Sequence, residues 1–315
     1  MKSKSILISA ALATALYIPV AATAQQVTLM TGPQGGVWVP LGGSRKGMWE
    51  KVIPGLSVQM QPGAGIANVR GIDEGKAHIG FANTITTVDG LAGRPPYPQK
   101  VTKVCQVANL YPQYYQMVVP VDSKINSVAD LKGKALVTQP KGNSSEIINV
   151  HMLQVHGMSY QSLSKVNFLA SYTDAVSLMK DGHAQVFTLG TTVPASSVMD
   201  LASARDIKLL GVDARILTEM KKINPGYSKL TIKAGTYPKM DKDVDVIGYA
   251  THIIAACDLP EDMIYKMVKA MADNVADMAA SNKSISGLTP KIMAEDVGIP
   301  LHKGAAKFYK EAGAI

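Results

Sequence analysis

Cysteine is nearly absent, with Cys105 and Cys257 the only two among 315 residues. Neither stands in the company of a catalytic nucleophile or a metal site. In an oxidising compartment an even count permits one bridge. Each cysteine also sits in an apolar, strand-like run, where a buried thiol packs as a small hydrophobe, so both readings stand. There is no Gly-x-Ser-x-Gly elbow, and Ser144-Ser145 has no identifiable histidine partner, which argues against a serine hydrolase. No Gly-Lys-Ser or Gly-Lys-Thr phosphate loop occurs. Gly63-x-Gly65-x-x-Asn68 lacks the third glycine of a dinucleotide fingerprint. Asp241, Asp243 and Asp245 have the spacing of a calcium loop, but Val246 replaces its glycine and His252 its final glutamate. His151 and His156 are five apart, not the four that would bring both to one metal, and are expected as surface or core histidines. Lysines are scattered singly with no basic, aromatic-interleaved patch, so nucleic acid is not an expected partner. After the first 24 residues no second long hydrophobic span occurs.

Nearly half of the chain is apolar, 47%, enough for a sizeable core divided between two lobes. Residues 1–24 read separately: Lys2 and Lys4, an apolar run from Ile6 to about Ala22, then Ala22-Thr23-Ala24 before Gln25. That is the order of a secretory signal peptide, so the mature chain is expected to start at Gln25, exported and periplasmic. The formal charge of +8 falls by two with Lys2 and Lys4, leaving a moderately basic protein that draws anionic ligands.

Three glycine-rich corners stand where a strand turns into a helix. The first is Thr31 to Gly43, after Val27–Met30. The second is Gln61-Pro62-Gly63-Ala64-Gly65-Ile66-Ala67-Asn68, after Leu56–Met60. The third is Gln139-Pro140-Lys141-Gly142-Asn143-Ser144-Ser145, after Ala135–Thr138. A helix start presents unpartnered N–H groups and the positive end of the dipole, which suits a small anion. One corner alone could simply be a tight turn; three read as one design around a shared cleft.

The strand from His78 ends at Asn83 and Thr84, which a parallel α/β arrangement places at the cleft edge. Lys103–Leu110 and Met117–Val121 read as two strands, with Tyr111-Pro112 a hinge between them. From Asp122 the alternation resumes, through a capped turn at Ser127–Lys134, a helix from Ser145 to about His156, and strands at 166–170 and 184–189. Gly190-Thr191-Thr192-Val193-Pro194 precedes a helix from Ala195. Residues 231–255 read as a long extended return to the first lobe. The expected fold is α/β with lobe I at 25–118, lobe II at 119–240, and a return to lobe I at 241–315. Met263, Ile264, Met267, Val268, Met271 and Val275 recur at helical spacing as core filler, not as a metal site.

The segments Gly35 to Gly42, Gly65-Ile66-Ala67-Asn68-Val69, Gly75 to Gly80, Ser127 to Lys134 and Leu301-His302-Lys303-Gly304-Ala305 resemble, in order and spacing, the solute-binding subunit of a TAXI-type TRAP transporter. The resemblance implies a two-lobe type II periplasmic-binding-protein fold with a hinge of two crossing strands, closing on a small carboxylate of the amino acid, keto acid or dicarboxylate class. It implies delivery to membrane subunits driven by an ion gradient. Carried onto this sequence, it places the ligand against Gly36, Val37 and Trp38; Gly65, Ile66 and Asn68; Asn83 and Thr84; Tyr111; Gly142, Asn143, Ser144 and Ser145; and Thr191, Thr192 and Pro194. Helix starts and hydroxyls at 65–68 and 142–145 are expected to hold carboxylate oxygens, with Tyr111 and Trp38 over the carbon skeleton. The chain departs from the family at Val37-Trp38, where a hydroxyl residue followed by tyrosine is common, and at the turn before Gln185, where an aspartate is common. The first makes that wall more apolar, and together the departures admit a less polar carboxylate. A monomeric binding protein without catalytic step, cofactor or metal is expected; a periplasmic module feeding a sensor kinase is the alternative, and a hydrolase on this scaffold a remote one.

Overall fold

The computed structural model describes residues 25–32, 37–141 and 143–315. The expected signal segment, 1–24, lies outside them. Among the described residues no helix is long and apolar enough to cross a membrane.

The chain begins with β1 (Gln25–Met30), α1 (Trp38–Val52), β2 (Leu56–Gln61), α2 (Gly65–Asp73) and β3 (Ile79–Asn83). β1 pairs in parallel with β2 along its whole length and with β3 on its other edge. A parallel sheet must be covered on both faces, and here it is. On one face Val27, Leu29, Val58 and Phe81 pack with Leu41 and Trp49 of α1. On the other, Val69 and Ile72 of α2 meet Ala82, Tyr97 and Val101.

α3 (Thr84–Ala92) follows β3 without a break, and β4 (Val104–Pro120) then leaves this lobe. The second lobe repeats the plan with β5 (Ala135–Thr138), α4 (Ser144–Val155), β6 (Lys165–Phe168), α5 (Tyr172–Lys180), β7 (Val186–Thr191) and α6 (Ser196–Ala204). β5 lies between β6 and β7, parallel to both. β8 (Ile207–Leu209), α7 (Ala214–Ile223) and β9 (Ser228–Ile232) complete it, and β10 (Val244–Ala256) carries the chain back. The strand order is β2-β1-β3-β10-β4-β7-β5-β6. β4 and β10 run antiparallel to each other in the middle, one edge of the pair against β3 and the other against β7. This is a two-lobe, type II periplasmic-binding-protein fold hinged on two crossing strands.

The chain closes with α8 (Glu261–Asp273), α9 (Val275–Ser281), α10 (Pro290–Met293) and α11 (Lys303–Glu311). Met263, Ile264, Met267, Val268 and Met271 of α8 are all buried in the first lobe's core. The aspartates with calcium-like spacing make ion pairs instead: Asp243 with Lys233 at 2.8 Å and Asp245 with Lys229 at 3.0 Å.

Several elements differ from the sequence reading, α9 and α10 among them. The stretch that reads as two strands joined at Tyr111-Pro112 is one strand, β4 (Val104–Pro120). β10 pairs along it, and Pro112, which has no N–H to give, sits beside a register shift at Thr251/His252. α3 was not expected from Thr84-Ile85-Thr86-Thr87-Val88, a β-branched run of poor helix propensity. Its hydroxyls are partnered, Thr86 donating to the Asn83 carbonyl at 2.8 Å, Thr84 accepting from the Ala250 N–H at 3.1 Å and Thr87 lying 2.8 Å from His252 Nε2, and the helix is buried on nearly every side. α7 was likewise not expected. The long extended return is two strands, β9 and β10, paired antiparallel.

Cys105 and Cys257 form a disulfide with a Cα–Cα distance of 5.1 Å, closing a sequence separation of 152 residues. It ties the start of β4 to the residue after β10, so it clamps the two hinge strands at their first-lobe end. Replacing both cysteines with alanine is expected to lower the unfolding temperature by about 5 °C or more, because the unfolded chain regains the entropy of a long loop. Thermal melts of the oxidised protein and the double variant measure this, and coincident melts would refute it.

Candidate functional site

A cavity of about 290 Å³ lies between the lobes. Its first-lobe wall is Val37 and Trp38 at the start of α1, Ala64 to Ile66 at the start of α2, and Asn83 at the end of β3. Asn143 and Ser144 at the start of α4, Tyr172 at the start of α5, and Gly190 and Thr191 at the end of β7 form the second-lobe wall. Gln113 of β4 and Tyr249 of β10, register partners in the hinge ladder, close the floor. Among the described residues, none that lines the cavity carries a charge.

The α2 start is held from within by Asn68. Its Oδ1 accepts from the Ala64 N–H at 3.0 Å, and its Nδ2 donates to the carbonyls of Thr31 and Phe81, both at 2.7 Å. One buried carboxamide thus fixes the end of β1, the end of β3 and the first turn of α2 together. Gly63 permits it: a Cβ there would stand 1.9 Å from Asn68 Oδ1. No side chain caps α2, so its first-turn N–H groups, on residues that line the cavity, have no side-chain acceptor among the described residues. α4 is capped by Asn143, whose side chain accepts from the Ser145 N–H at 3.0 Å.

The two walls touch where Asn83 Nδ2 donates to Ser144 Oγ at 2.7 Å, a direct bond between lobes. With its amide committed, Asn83 Oδ1 is left buried without a donor among the described residues. Gln113 repeats the pattern: Nε2 donates to Thr251 Oγ1 at 2.9 Å and Oε1 has no donor. Two carboxamide oxygens are therefore held at the cavity as fixed acceptors. An unmade hydrogen bond at a buried acceptor costs about 1–3 kcal/mol, so a guest with donors is favoured.

Burial pushes the Tyr172 phenol up to about 12, and raises that of Tyr249 as well, so both remain donors across the physiological range. The Ser145 hydroxyl lies against both phenols and is itself buried. Trp38 stacks on Phe81 with ring centroids 5.8 Å apart and donates from Nε1 to the Tyr111 hydroxyl at 3.2 Å. On the Phe81 ring, 5.9 Å from its centroid, lies the guanidinium of Arg45. Arg45 is fully buried, pairs with no acid among the described residues, and leaves Nε and Nη2 without acceptors. Burial lowers its pKa to about 10, so it is still a cation at neutral pH.

Of the residues expected at the ligand, Val37, Trp38, Gly65, Ile66, Asn83, Asn143, Ser144 and Thr191 are brought together here. Gly36 and Gly142 lie outside the described residues. The others do not line the cavity. Asn68 is the internal tie just described. Thr84 is buried, its hydroxyl taking the Ala250 N–H at 3.1 Å. Tyr111 backs Trp38 instead of covering a ligand itself, Ser145 stands behind the two tyrosines, Thr192 lies beyond the wall, and Pro194 is exposed after a cis peptide bond. Gln113, Tyr172, Gly190 and Tyr249 were missed. Only Gly190, in the Gly190-Thr191-Thr192 run, carried a local signal; the rest reach the cavity through the crossing of β4 and β10 and the placement of α5.

Residues 29–313 match the NMT1-like family. The chain belongs to that family. Among solved structures, this NMT1-like chain is similar to a TctC solute-binding protein from Polaromonas, solved without ligand, at 15% identity and a TM-score of 0.55, covering 94% of this chain and all, 100%, of that one. PhnD1 from Prochlorococcus marinus, in complex with methylphosphonate, is 12% identical with a TM-score of 0.54 over 92% of this chain and 98% of its own. XAC2383 from Xanthomonas citri, bound to ATP, is 10% identical with a TM-score of 0.55 over 92% and 96%. At these identities what is shared is the fold.

Gly190 is where the cavity wall is tightest: a Cβ there would stand 2.2 Å from the Tyr249 hydroxyl and 2.9 Å from Ser145 Oγ. Gly190→Ala is expected to lower stability by about 1–3 kcal/mol through overpacking. Gly43→Ala, in α1 with nothing within 4 Å of the added carbon, is expected to raise it by up to about 1 kcal/mol. Denaturant melts of the two variants should move in opposite directions; a neutral Gly190→Ala would show that Tyr249 is free to yield.

Proposed function

We propose that the chain is an exported solute-binding protein that captures a small organic carboxylate between its lobes and delivers it to the membrane subunits of a TRAP transporter of the TAXI type. Lobe I is taken as 25–118 and 241–315, lobe II as 119–240. The observation that carries the reading is the convergence of two helix starts, α2 from one lobe and α4 from the other, on a cavity without charged walls. Carboxylate oxygens would take the first-turn N–H groups and the Ser144 hydroxyl, an arrangement in which neutral dipoles replace a counter-ion. The buried Arg45 guanidinium behind Trp38 adds a fixed positive potential through a low-dielectric wall.

The free acceptors Asn83 Oδ1 and Gln113 Oε1 narrow the class further. They call for an ammonium or hydroxyl on the same ligand, so an amino acid or hydroxy acid fits better than a keto acid or a dicarboxylate. Binding from both walls at once favours the closed arrangement, in which Asn83 and Ser144 already touch. No step of this requires bond chemistry in the protein. A second reading, a small phosphonate, is favoured by the methylphosphonate complex of the similarly folded PhnD1 and by the suitability of helix starts for any compact oxyanion.

A thermal-shift screen over amino acids, hydroxy acids, keto acids, dicarboxylates and alkylphosphonates tests this, since a ligand raises the unfolding temperature by mass action. The largest shifts are expected from amino or hydroxy acids. For the best of them, Ser144→Ala and Gln113→Leu should each weaken binding about 5- to 30-fold with folding intact. Shifts from phosphonates alone would move the protein to the second reading, and no shift from any of them would defeat both.

A further inference from the structure

A second cavity, of about 430 Å³, adjoins the first across Tyr249 and shares no other residue with it. Its floor is the hinge itself, Asn109 and Tyr111 of β4 with Tyr249 and Ala250 of β10. One side is the stretch after α7, with Lys221 on the helix and residues 225–230 beyond it; the other is the loop after α10, with Ile292 and residues 295–297. Both lobes therefore contribute walls, as they do at the first cavity.

At the bottom is a built acceptor. Asn109 is 2% exposed, and its Nδ2 donates to the Glu295 carbonyl at 3.1 Å, which fixes the carboxamide. Its Oδ1 is then left without a donor among the described residues. The neighbouring Gln106 side chain, 1% exposed, is held by the same carbonyl at 3.1 Å and leaves its Oε1 equally unfilled. The carboxylates of Glu295 and Asp296 stand on the wall above; Asp296 Oδ1 accepts from the Gly298 N–H at 2.9 Å, and neither carboxylate makes an ion pair among the described residues. Of the two cations on the walls, Lys229 is spoken for by Asp245 at 3.0 Å, leaving Lys221. A buried unfilled carbonyl-type oxygen below two carboxylates that make no ion pair among the described residues suits a group with several donors and a positive charge.

We propose that this hinge cavity is a second binding site, for a small primary ammonium compound, with the ammonium on Asn109 Oδ1 and the carboxylates of Glu295 and Asp296. Because walls from both lobes hold it, its occupation is linked to the angle between the lobes and thereby to whatever fills the first cavity.

The test uses the purified protein with ethanolamine and 1,4-diaminobutane as probes, and ethylene glycol and sodium acetate at matched ionic strength as controls. The amines at saturation are expected to raise the unfolding temperature by about 2 °C or more and the controls not to. Ile292→Trp, which fills the cavity mouth from an exposed position without touching the buried carboxamides, should abolish the shift. Asn109→Leu should abolish it too, and Gln113→Leu in the first cavity should leave it intact. A shift of equal size with ethylene glycol, no shift with either amine, or a shift that survives Ile292→Trp overturns the proposal. A shift lost with Gln113→Leu but kept with Ile292→Trp overturns it as well, and assigns the amines to the first cavity.

Discussion

The antiparallel ladder between β4 and β10 is the interaction on which the rest of the molecule depends. Each lobe is a three-stranded parallel sheet that ends against this pair, β3 on β10 and β7 on β4. The first lobe is split in the chain, which leaves it along β4 and returns to it along β10. The ladder also positions the chemistry. Gln113 and Tyr249, opposite each other, form the floor of the first cavity, while Asn109, Tyr111 and Ala250, a few residues along, form that of the second. Tyr249 and Ala250 are consecutive in β10, and the register shift at Thr251/His252 comes after both, between Tyr111 and Asn109. Successive residues of a strand point to opposite faces of the sheet, so two floors facing different ways are built from adjacent residues.

Much of the helix-and-strand alternation was legible, because each lobe is built from local units whose glycine corners and apolar runs announce themselves within ten residues. The α2 and α4 starts could be placed for that reason, and so could Gly65, Ile66, Asn143 and Ser144. What could not be read is whatever depends on the partner across the sheet. Pro112 looks like a break until β10 is beside it; the β-branched Thr84–Val88 run looks like strand until Asn83 accepts its hydroxyls and the second lobe covers it. Asn68 shows the same limit at the level of one side chain. Its position in the corner was correct, but only the structure reveals that Thr31 and Phe81 consume its donors, leaving it nothing for a ligand. Tyr172 and Tyr249 carry no motif at all and acquire a role only from their burial at the crossing.

Tyr111 and Ser145 illustrate a related division of labour. Both were placed at the ligand by resemblance, and both lie one layer behind it, Tyr111 fixing the Trp38 indole and Ser145 lying against the phenols of Tyr172 and Tyr249. Residues in this layer hold the rotamers of those in front, so loss of either would blur the cavity without removing a contact to its occupant. The distinction matters because a wall made of neutral dipoles works only if each dipole is already oriented; an unoriented hydroxyl offers little more than water does.

The absence of charged side chains from the first cavity is the more informative for the presence of Arg45 close behind it. A guanidinium buried without an acidic partner is costly to fold, and a structural role alone would be met by methionine or leucine at lower cost. Placed under the Phe81–Trp38 stack, it does not pair with an arriving anion directly, which would demand stripping water from both charges. Its field instead adds to those of two helix starts that border the same cavity, and all three are in place when the protein folds, before any ligand arrives. A site of this kind discriminates by geometry: an anion whose oxygens reach both helix starts gains from each dipole, whereas one offset by an ångström or two gains little, and a cation at the same place meets three repulsive sources. The unfilled oxygens of Asn83 and Gln113 then set where on the ligand the opposite polarity must lie, so that shape and polarity are specified by the same handful of fixed atoms.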